Sequence, residues 1–226
     1  MSNWLLPLSD LSPDQLRVVK MPMTEGHRAV FGPPGSGKTI VLVHRAAYLR
    51  ATHSVPEHRF RMLVFTNVLT DYIRSGLEMV DIPVAAVSTF DRWCWDRYME
   101  NISRRVPRVP GTREYDFTAI HSAVLDLLQR RKDVAGCFDF VLVDEGQDLT
   151  PLAFRILKLA AHHLTVFADQ RQQIFEGGAS EEQILDSLEL RNRNASFLSD
   201  YRNSPDVANL AAYFISDPAR RAEYLR

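Results

Sequence analysis

Cysteine is scarce in this 226-residue chain. Cys94 and Cys137 are too few for a disulfide framework and point to a reducing, cytoplasmic setting. Net charge is missing as well, with 27 basic side chains against 28 acidic ones. That balance excludes a uniformly basic nucleic-acid coat and a solvating acidic tail, while leaving room for a local basic groove. No stretch approaches the roughly 18 uncharged apolar residues of a membrane span. The first ten residues lack the basic start of a secretory signal. Internal repeats and low-complexity tracts are also absent. What is present is ordinary for a soluble globular protein: 46% hydrophobic and 24% charged residues, in a length that suits one domain or one and a half.

Short β-rich apolar runs alternate with longer periodic stretches. The expected strands are Arg28–Phe31, Met62–Thr66, Val84–Ser88, Phe138–Val143, Leu164–Ala168 and Ala195–Leu198. Helices are expected at Lys38–Ala51, Leu69–Met79, Phe90–Glu100, Tyr115–Arg131, Pro151–His163 and Ser204–Ile215. Strands separated by helices imply right-handed crossovers, hence an α/β fold with a mostly parallel sheet and helices on both faces. Phe140-Val141-Leu142-Val143, apolar on both faces, reads as a central strand. Asn101–Arg113 stands apart, with Arg104, Arg105, Arg108 and Arg113 and no acid. It reads either as a solvated loop or as an arginine-rich phosphate contact. Glu176–Glu189, with five acids and no base, reads as a solvated helix face.

Gly32-Pro33-Pro34-Gly35-Ser36-Gly37-Lys38-Thr39 matches the P-loop (Walker A) pattern, placed between a strand and a helix as its mechanism requires. Glycines let the backbone fold around phosphate so that N–H groups and the helix N-terminus face the anion. Lys38 is expected to reach the β- and γ-phosphates of ATP, and the Thr39 hydroxyl to ligate Mg²⁺. The alternative is a glycine-rich turn that merely starts a helix. Val141-Leu142-Val143 then runs into Asp144 and Glu145, at the ligand-binding edge of a parallel sheet. Asp144 is expected to hold Mg²⁺ and Glu145 to polarise an attacking water, although an acidic turn is the bland reading.

Asp144-Glu145-Gly146-Gln147-Asp148 resembles the second motif, Asp-Glu-x-Gln-Asp, of the UvrD/Rep-like superfamily-one DNA helicases. Other segments fall in that family's order between residues 11 and about 215. Leu11-Ser12-Pro13-Asp14-Gln15 looks like the adenine-reading motif, so the resemblance gives Gln15 a place at the base. Gln15 also completes a capping box with Ser12, and the two roles are compatible. Phe65-Thr66-Asn67 and Thr89-Phe90 resemble the two strand-end motifs that touch single-stranded DNA. Ala168-Asp169-Gln170-Arg171-Gln172-Gln173-Ile174-Phe175 resembles the third motif, which implies that Gln172 senses the γ-phosphate and that Phe175 lies near DNA. Asp200-Tyr201-Arg202-Asn203-Ser204 resembles the fourth, which implies Arg202 at the γ-phosphate and Tyr201 stacked near the base.

The resemblance thus implies a RecA-like P-loop NTPase domain over residues 1–200. Its function would be that of the first motor domain of an ATP-dependent DNA helicase, with ATP and Mg²⁺ as ligands and single-stranded or partly duplex DNA as partner. Several positions depart from the family. Ile40 stands where arginine is common, Asp91 where histidine is common, and no tryptophan follows Phe175. Trp93 and Trp95 read as packing residues or as base platforms. Residues 97–131 would be a reduced insertion where such helicases carry a whole subdomain. No segment after Ser204 resembles the fifth and sixth motifs, so residues 201–226 would begin the connection to a second RecA-like motor domain. The expected activity of these residues is therefore slow ATP hydrolysis. The alternative is a nucleotide-gated module that docks DNA or protein and needs a partner to hydrolyse ATP.

Overall fold

A computed structural model describes residues 4–65, 73, 76–169, 178–190 and 195–198. Six strands form one sheet: β1 (Arg28–Phe31), β2 (Phe60–Val64), β3 (Val87–Thr89), β4 (Phe138–Val143), β5 (Ala161–Ala168) and β6 (Ala195–Phe197). Their order is β3-β2-β4-β5-β1-β6, and every neighbouring pair is parallel. The helices are α1 (Pro13–Lys20), α2 (Lys38–His53), α3 (Phe90–Asn101), α4 (Phe117–Arg130), α5 (Pro151–Ala160) and α6 (Glu181–Ser187). The architecture is the α/β arrangement expected.

Period-two alternation divides the core between the two faces of the sheet. Phe140 and Leu142 of β4 pack with Val41, Leu42 and Leu49 of α2 and Val18 and Val19 of α1. Val141 and Val143 face the other way, toward Cys94 of α3, Val124 of α4 and Phe154 of α5. Both faces of β4 are covered, which is why its sequence is a continuous apolar run.

Several boundaries differ from the sequence pattern, three of them for an evident local reason. The helix expected through His163 ends at Ala160, and Ala161–His163 open β5. His163 is drawn inward by Arg45 and Thr165, and the chain pairs with β4 from Ala161 onward. The strand expected at Val84–Ser88 begins only at Val87, because Val84–Ala86 form a 3-10 turn after Pro83. β2 begins two residues earlier than expected, at Phe60, where it stacks on Phe140 with ring centroids 5.0 Å apart. The expected helix Leu69–Met79 lies largely outside the described residues, and Ser204–Ile215 does so entirely.

Two short helices complete the faces. Helix α1 opens with a full capping box: the Gln15 N–H donates to Ser12 Oγ at 3.2 Å, and the Ser12 N–H donates to Gln15 Oε1 at 2.9 Å. Helix α6 repeats the device with Ser180 and Gln183. Its acids face outward while Ile184 and Leu188 are buried.

Candidate nucleotide site and strand-end opening

The ends of neighbouring strands, in the order β4-β5-β1, carry Asp144 and Glu145, Asp169, and the loop that leads to Lys38 and Thr39. After β1 the chain turns through Gly35 and Gly37, both left-handed with φ of 85° and 79°. At Gly37, the residue preceding α2, a Cβ would meet Gln15 Nε2 at 2.7 Å. Glycine is needed there twice over, for the backbone conformation and for the close approach. Ser36 is fully buried within the loop, and its hydroxyl has no hydrogen-bond partner among the described residues. A buried hydroxyl left over inside such a turn suits an anionic oxygen.

Gln15 is buried and spends its amide on two structures at once. Its oxygen closes the capping box, and its Nε2 donates to the Ser36 carbonyl at 3.0 Å. Helix α1 is thereby tied to the P-loop. A second tie comes from Arg45 of α2, wholly buried, whose Nη1 donates to the carbonyls of Val18, Val19 and Met21 at 2.9, 3.2 and 2.8 Å. Those carbonyls lie at the C-terminal end of α1, where the helix dipole favours a cation. Arg45 Nε donates to Thr165 Oγ1 at 3.0 Å and Nη2 lies 3.2 Å from His163 Nε2. Burial, with Arg28 nearby, lowers its pKa to about 10, so it remains charged at neutral pH. Its significance is not apparent in the sequence, because an arginine inside a helix ordinarily reads as surface.

Lys38 Nζ folds over the loop, donating to the Gly32 and Pro33 carbonyls at 2.8 and 3.1 Å. It lies 3.6 Å from Asp169 Oδ2, just beyond β5, with both side chains buried. Thr39 Oγ1 donates to Asp144 Oδ2 at 2.8 Å, joining the start of α2 to the end of β4. Burial and then the Glu145 charge push the Asp144 carboxyl up to about 6, against the opposing pull of Thr39 and Lys38. Two hard oxygens this close, one on a buried carboxylate whose charge is disfavoured, fit a small divalent cation that keeps its remaining ligands on water and phosphate.

Glu145 is left-handed, with φ of 51° and ψ of 47°. A non-glycine residue there costs about 1–2 kcal/mol, and its neighbours hold it. Gln147 Nε2 donates to Glu145 Oε2 at 2.7 Å, and the Asp169 N–H donates to Gln147 Oε1 at 2.9 Å. Gln147 is 1% exposed. It belongs to the Asp-Glu-x-Gln-Asp pattern, yet spacing alone does not reveal that it links Glu145 to the end of β5. Gly146 fits against β5, where a Cβ would come within 2.3 Å of Val166.

At the other end of the sheet, Phe65 follows β2 and Thr89 closes β3. Thr89 Oγ1 caps α3 by accepting from the Arg92 N–H at 3.1 Å. Phe90 is placed in the core, 4.9 Å from the His121 ring and 6.3 Å from Trp93. Its ring is a packing group in this arrangement, unlike Phe65 and Thr89, which line an open cavity of about 610 Å³. Trp93 is likewise core, whereas Trp95 lines the cavity together with Tyr115 and Phe117. Asp91 pairs with His121 at 3.0 Å. The second half of the arginine-rich segment belongs to a hairpin, bridged at Arg108 and Tyr115 and closed by Val109 N–H to the Glu114 carbonyl at 3.0 Å. Thr66, Asn67, Gln172, Phe175, Tyr201 and Arg202 lie outside the described residues.

A family model described as an AAA domain matches residues 15–178. Over 96 residues the chain is 38% identical to the ATP-dependent DNA helicase PcrA of Bacillus subtilis (strain 168), a match covering 41% of this chain and 12% of that helicase. Among solved structures, the crystal structure of Pif1 helicase from Candida albicans superposes with a TM-score of 0.53 at 11% identity, covering 94% of this chain and 46% of that one. At that identity the likeness concerns the fold, which is the RecA-like P-loop fold. The chain spans less than half the length of either protein.

Proposed function

The chain belongs to the AAA-domain family matched over residues 15–178, and from that premise we propose that it is the ATP-hydrolysing first motor domain of a superfamily-one DNA helicase. The observation that carries the reading is the Thr39–Asp144 contact at 2.8 Å beneath a glycine-turned loop with Lys38 at its mouth. A P-loop lysine, a hydroxyl and a strand-end carboxylate converge where the helix N-terminus favours phosphate. Similarity to PcrA over the matched stretch supports a helicase-type motor.

In this reading ATP is the substrate, and Thr39 and Asp144 would hold Mg²⁺, which would supply neutralisation of charge on the phosphates. Lys38 exchanges its loop carbonyls and Asp169 for the β- and γ-phosphate oxygens. Gln15 ties helix α1 to the P-loop and, by its place in the adenine-reading motif, contributes to recognition of the base. Glu145, oriented by Gln147, takes the proton of a water whose oxygen attacks the γ-phosphorus. The bond from that phosphorus to the β–γ bridging oxygen breaks, leaving ADP and phosphate. Gln172 and Arg202 complete the charge at the γ-phosphate and Tyr201 stacks near the base. Single-stranded DNA follows the strand ends at Phe65, Thr66, Asn67 and Thr89, with Phe175 on the same path and Phe90 supporting the turn from within. Residues 97–131 act as a reduced insertion. A second RecA-like motor domain is the partner that full activity needs, and a cytoplasmic location belongs to the same proposal. Among the described residues no helix is long and apolar enough to cross a membrane.

Single-turnover ATP hydrolysis by wild type, Lys38→Ala and Glu145→Gln tests the assignment. The wild-type chain should bind ATP, turn it over slowly and respond weakly to DNA. Both variants should be slower by at least about 100-fold, the scale of losing one charged or proton-accepting group. Equal rates in all three would overturn hydrolysis and leave a nucleotide-gated binding module.

A further inference from the structure

Four of the seven residues that line the cavity at the β2–β3 end of the sheet are aromatic, beside Thr89, Asp91 and Arg92. The four are Phe65, Trp95 of α3, Tyr115 and Phe117 at the start of α4. The Trp95 and Tyr115 rings meet edge to face, 4.3 Å apart at 77°. Tyr115 is 41% exposed, a large value for an aromatic in an ordered segment. The Arg108 guanidinium lies over its ring at 4.7 Å from the centroid. Arg108 is pinned there because its Nη1 also donates to the Arg113 carbonyl across the hairpin. A planar cation, a tyrosine and a tryptophan thus stand in contact, one after another, beside an open cavity.

Charge identifies the occupant. Arg104, Arg105 and Arg113 are exposed, and none is in an ion pair with an acid among the described residues. The acids around them are largely engaged. Asp91 pairs with His121, Asp96 with Arg92, and the Asp116 carboxylate caps α4 by accepting from the Ala119 N–H. Glu114 is the remaining acid of the hairpin. An apolar protein segment would use the aromatic rings but not the arginines, and duplex DNA would use the arginines but could not present base faces. An unpaired strand uses both, since phosphates meet guanidinium groups while bases stack on rings.

We propose that Trp95, Tyr115 and Arg108 form a base-stacking clamp that extends the path of single-stranded DNA from Phe65 and Thr89 onto the hairpin of residues 107–116. The clamp rests on the single-stranded DNA reading above and adds a site to it. It gives the arginine-rich hairpin a binding role in place of mere surface, and it assigns Trp95, not its buried neighbour Trp93, to the strand.

Fluorescence anisotropy of the full chain with a labelled oligothymidine of about 16 nucleotides, and with an abasic strand of equal length, tests this clamp. The melting temperature of each variant is measured alongside. Tyr115→Ala and Trp95→Leu should each weaken oligothymidine binding by roughly fivefold to a hundredfold, the range for one lost stacking partner. Their affinity for the abasic strand should remain at the wild-type value. Arg108→Ala, at an exposed position, should weaken both strands and lower the salt dependence by about one phosphate contact. Wild-type binding of oligothymidine with no loss in Tyr115→Ala and Arg108→Ala overturns the clamp and leaves the DNA reading standing. Equal losses of Tyr115→Ala on both strands also overturn it, since the ring would then serve only to hold the hairpin. If the wild-type chain binds neither strand, the DNA reading itself falls and the clamp with it.

Discussion

Replacing Arg45 with methionine should lower the melting temperature by about 6–12 °C. Methionine fills most of the same buried volume, so the change isolates the guanidinium's hydrogen bonds from its packing. Three carbonyls at the end of α1 and the Thr165 hydroxyl lose their donor. An orphaned buried acceptor costs about 1–3 kcal/mol. The lower end applies here, because the Val18 carbonyl also accepts from the Met21 N–H at 3.3 Å and because removing a buried cation recovers its desolvation cost. The balance is about 3 kcal/mol, and a chain of this size loses about 2–4 °C per kcal/mol. Thermal unfolding followed by circular dichroism reads the effect. Arg45→Lys should fall between the two, keeping the charge without the fork. Because α1 carries Gln15, Arg45→Met should also weaken binding of a fluorescent ATP analogue several-fold below the melting transition, with Gln15→Ala giving a similar loss. A melting temperature within about 2 °C of wild type would refute the reasoning, since it would mean that the end of α1 needs no cation.

Gln147→Ala should lower single-turnover hydrolysis by about 10–100-fold with little change in nucleotide affinity, because it frees the Glu145 carboxylate without touching the P-loop; a loss confined to affinity would contradict this. His163 is held to about 3 by burial, then by the nearby charges of Arg45 and His27, so its sign on stability is clear. The unfolded chain takes up a proton below about pH 6.5 that the folded chain refuses. Its contribution is intact above that pH and erodes by about 1.4 kcal/mol per unit as pH falls toward 3. Asp144, raised to about 6, acts in the opposite sense between about pH 4 and 6. The readout is therefore the difference between wild type and His163→Gln in urea melts without Mg²⁺, which should widen in favour of the variant on acidification; parallel curves would refute it.

The P-loop and the strand running into Asp144 were legible because both are local: turn chemistry, period and order lie within a dozen residues. The α/β class followed from the alternation of strands and helices. What was not legible depends on partners far along the chain. Arg45 reads as a surface residue of α2 until the carbonyls of α1 are placed beside it. His163 continues a helical pattern until the Arg45 network and pairing with β4 claim it. Tyr115 reads as the start of a helix, yet it closes the hairpin, and Asp116 starts that helix by accepting from the Ala119 N–H. The resemblance of Thr89-Phe90 to a strand-end motif places Phe90 at DNA, yet its ring is buried. One residue along a helix turns a side chain by roughly 100°, and that is enough to move it from the edge into the core.

The order of the sheet has a mechanical meaning. From β1, which carries the P-loop, to β3, which carries Thr89, there are four inter-strand steps, about 19 Å at the usual strand spacing. The slab between them is hydrogen-bonded throughout and packed on both faces, so that interval behaves as a fixed gauge length. Lys38, Asp169, Gln147 and Glu145 form a row of polar contacts across the ends of β1, β5 and β4. The row stops one strand short of β2, whose end carries Phe65. A change at the phosphate end can thus reshape the row of strand-end loops without stretching the sheet, and labels placed at the two ends of the slab should report a constant distance whatever nucleotide is bound.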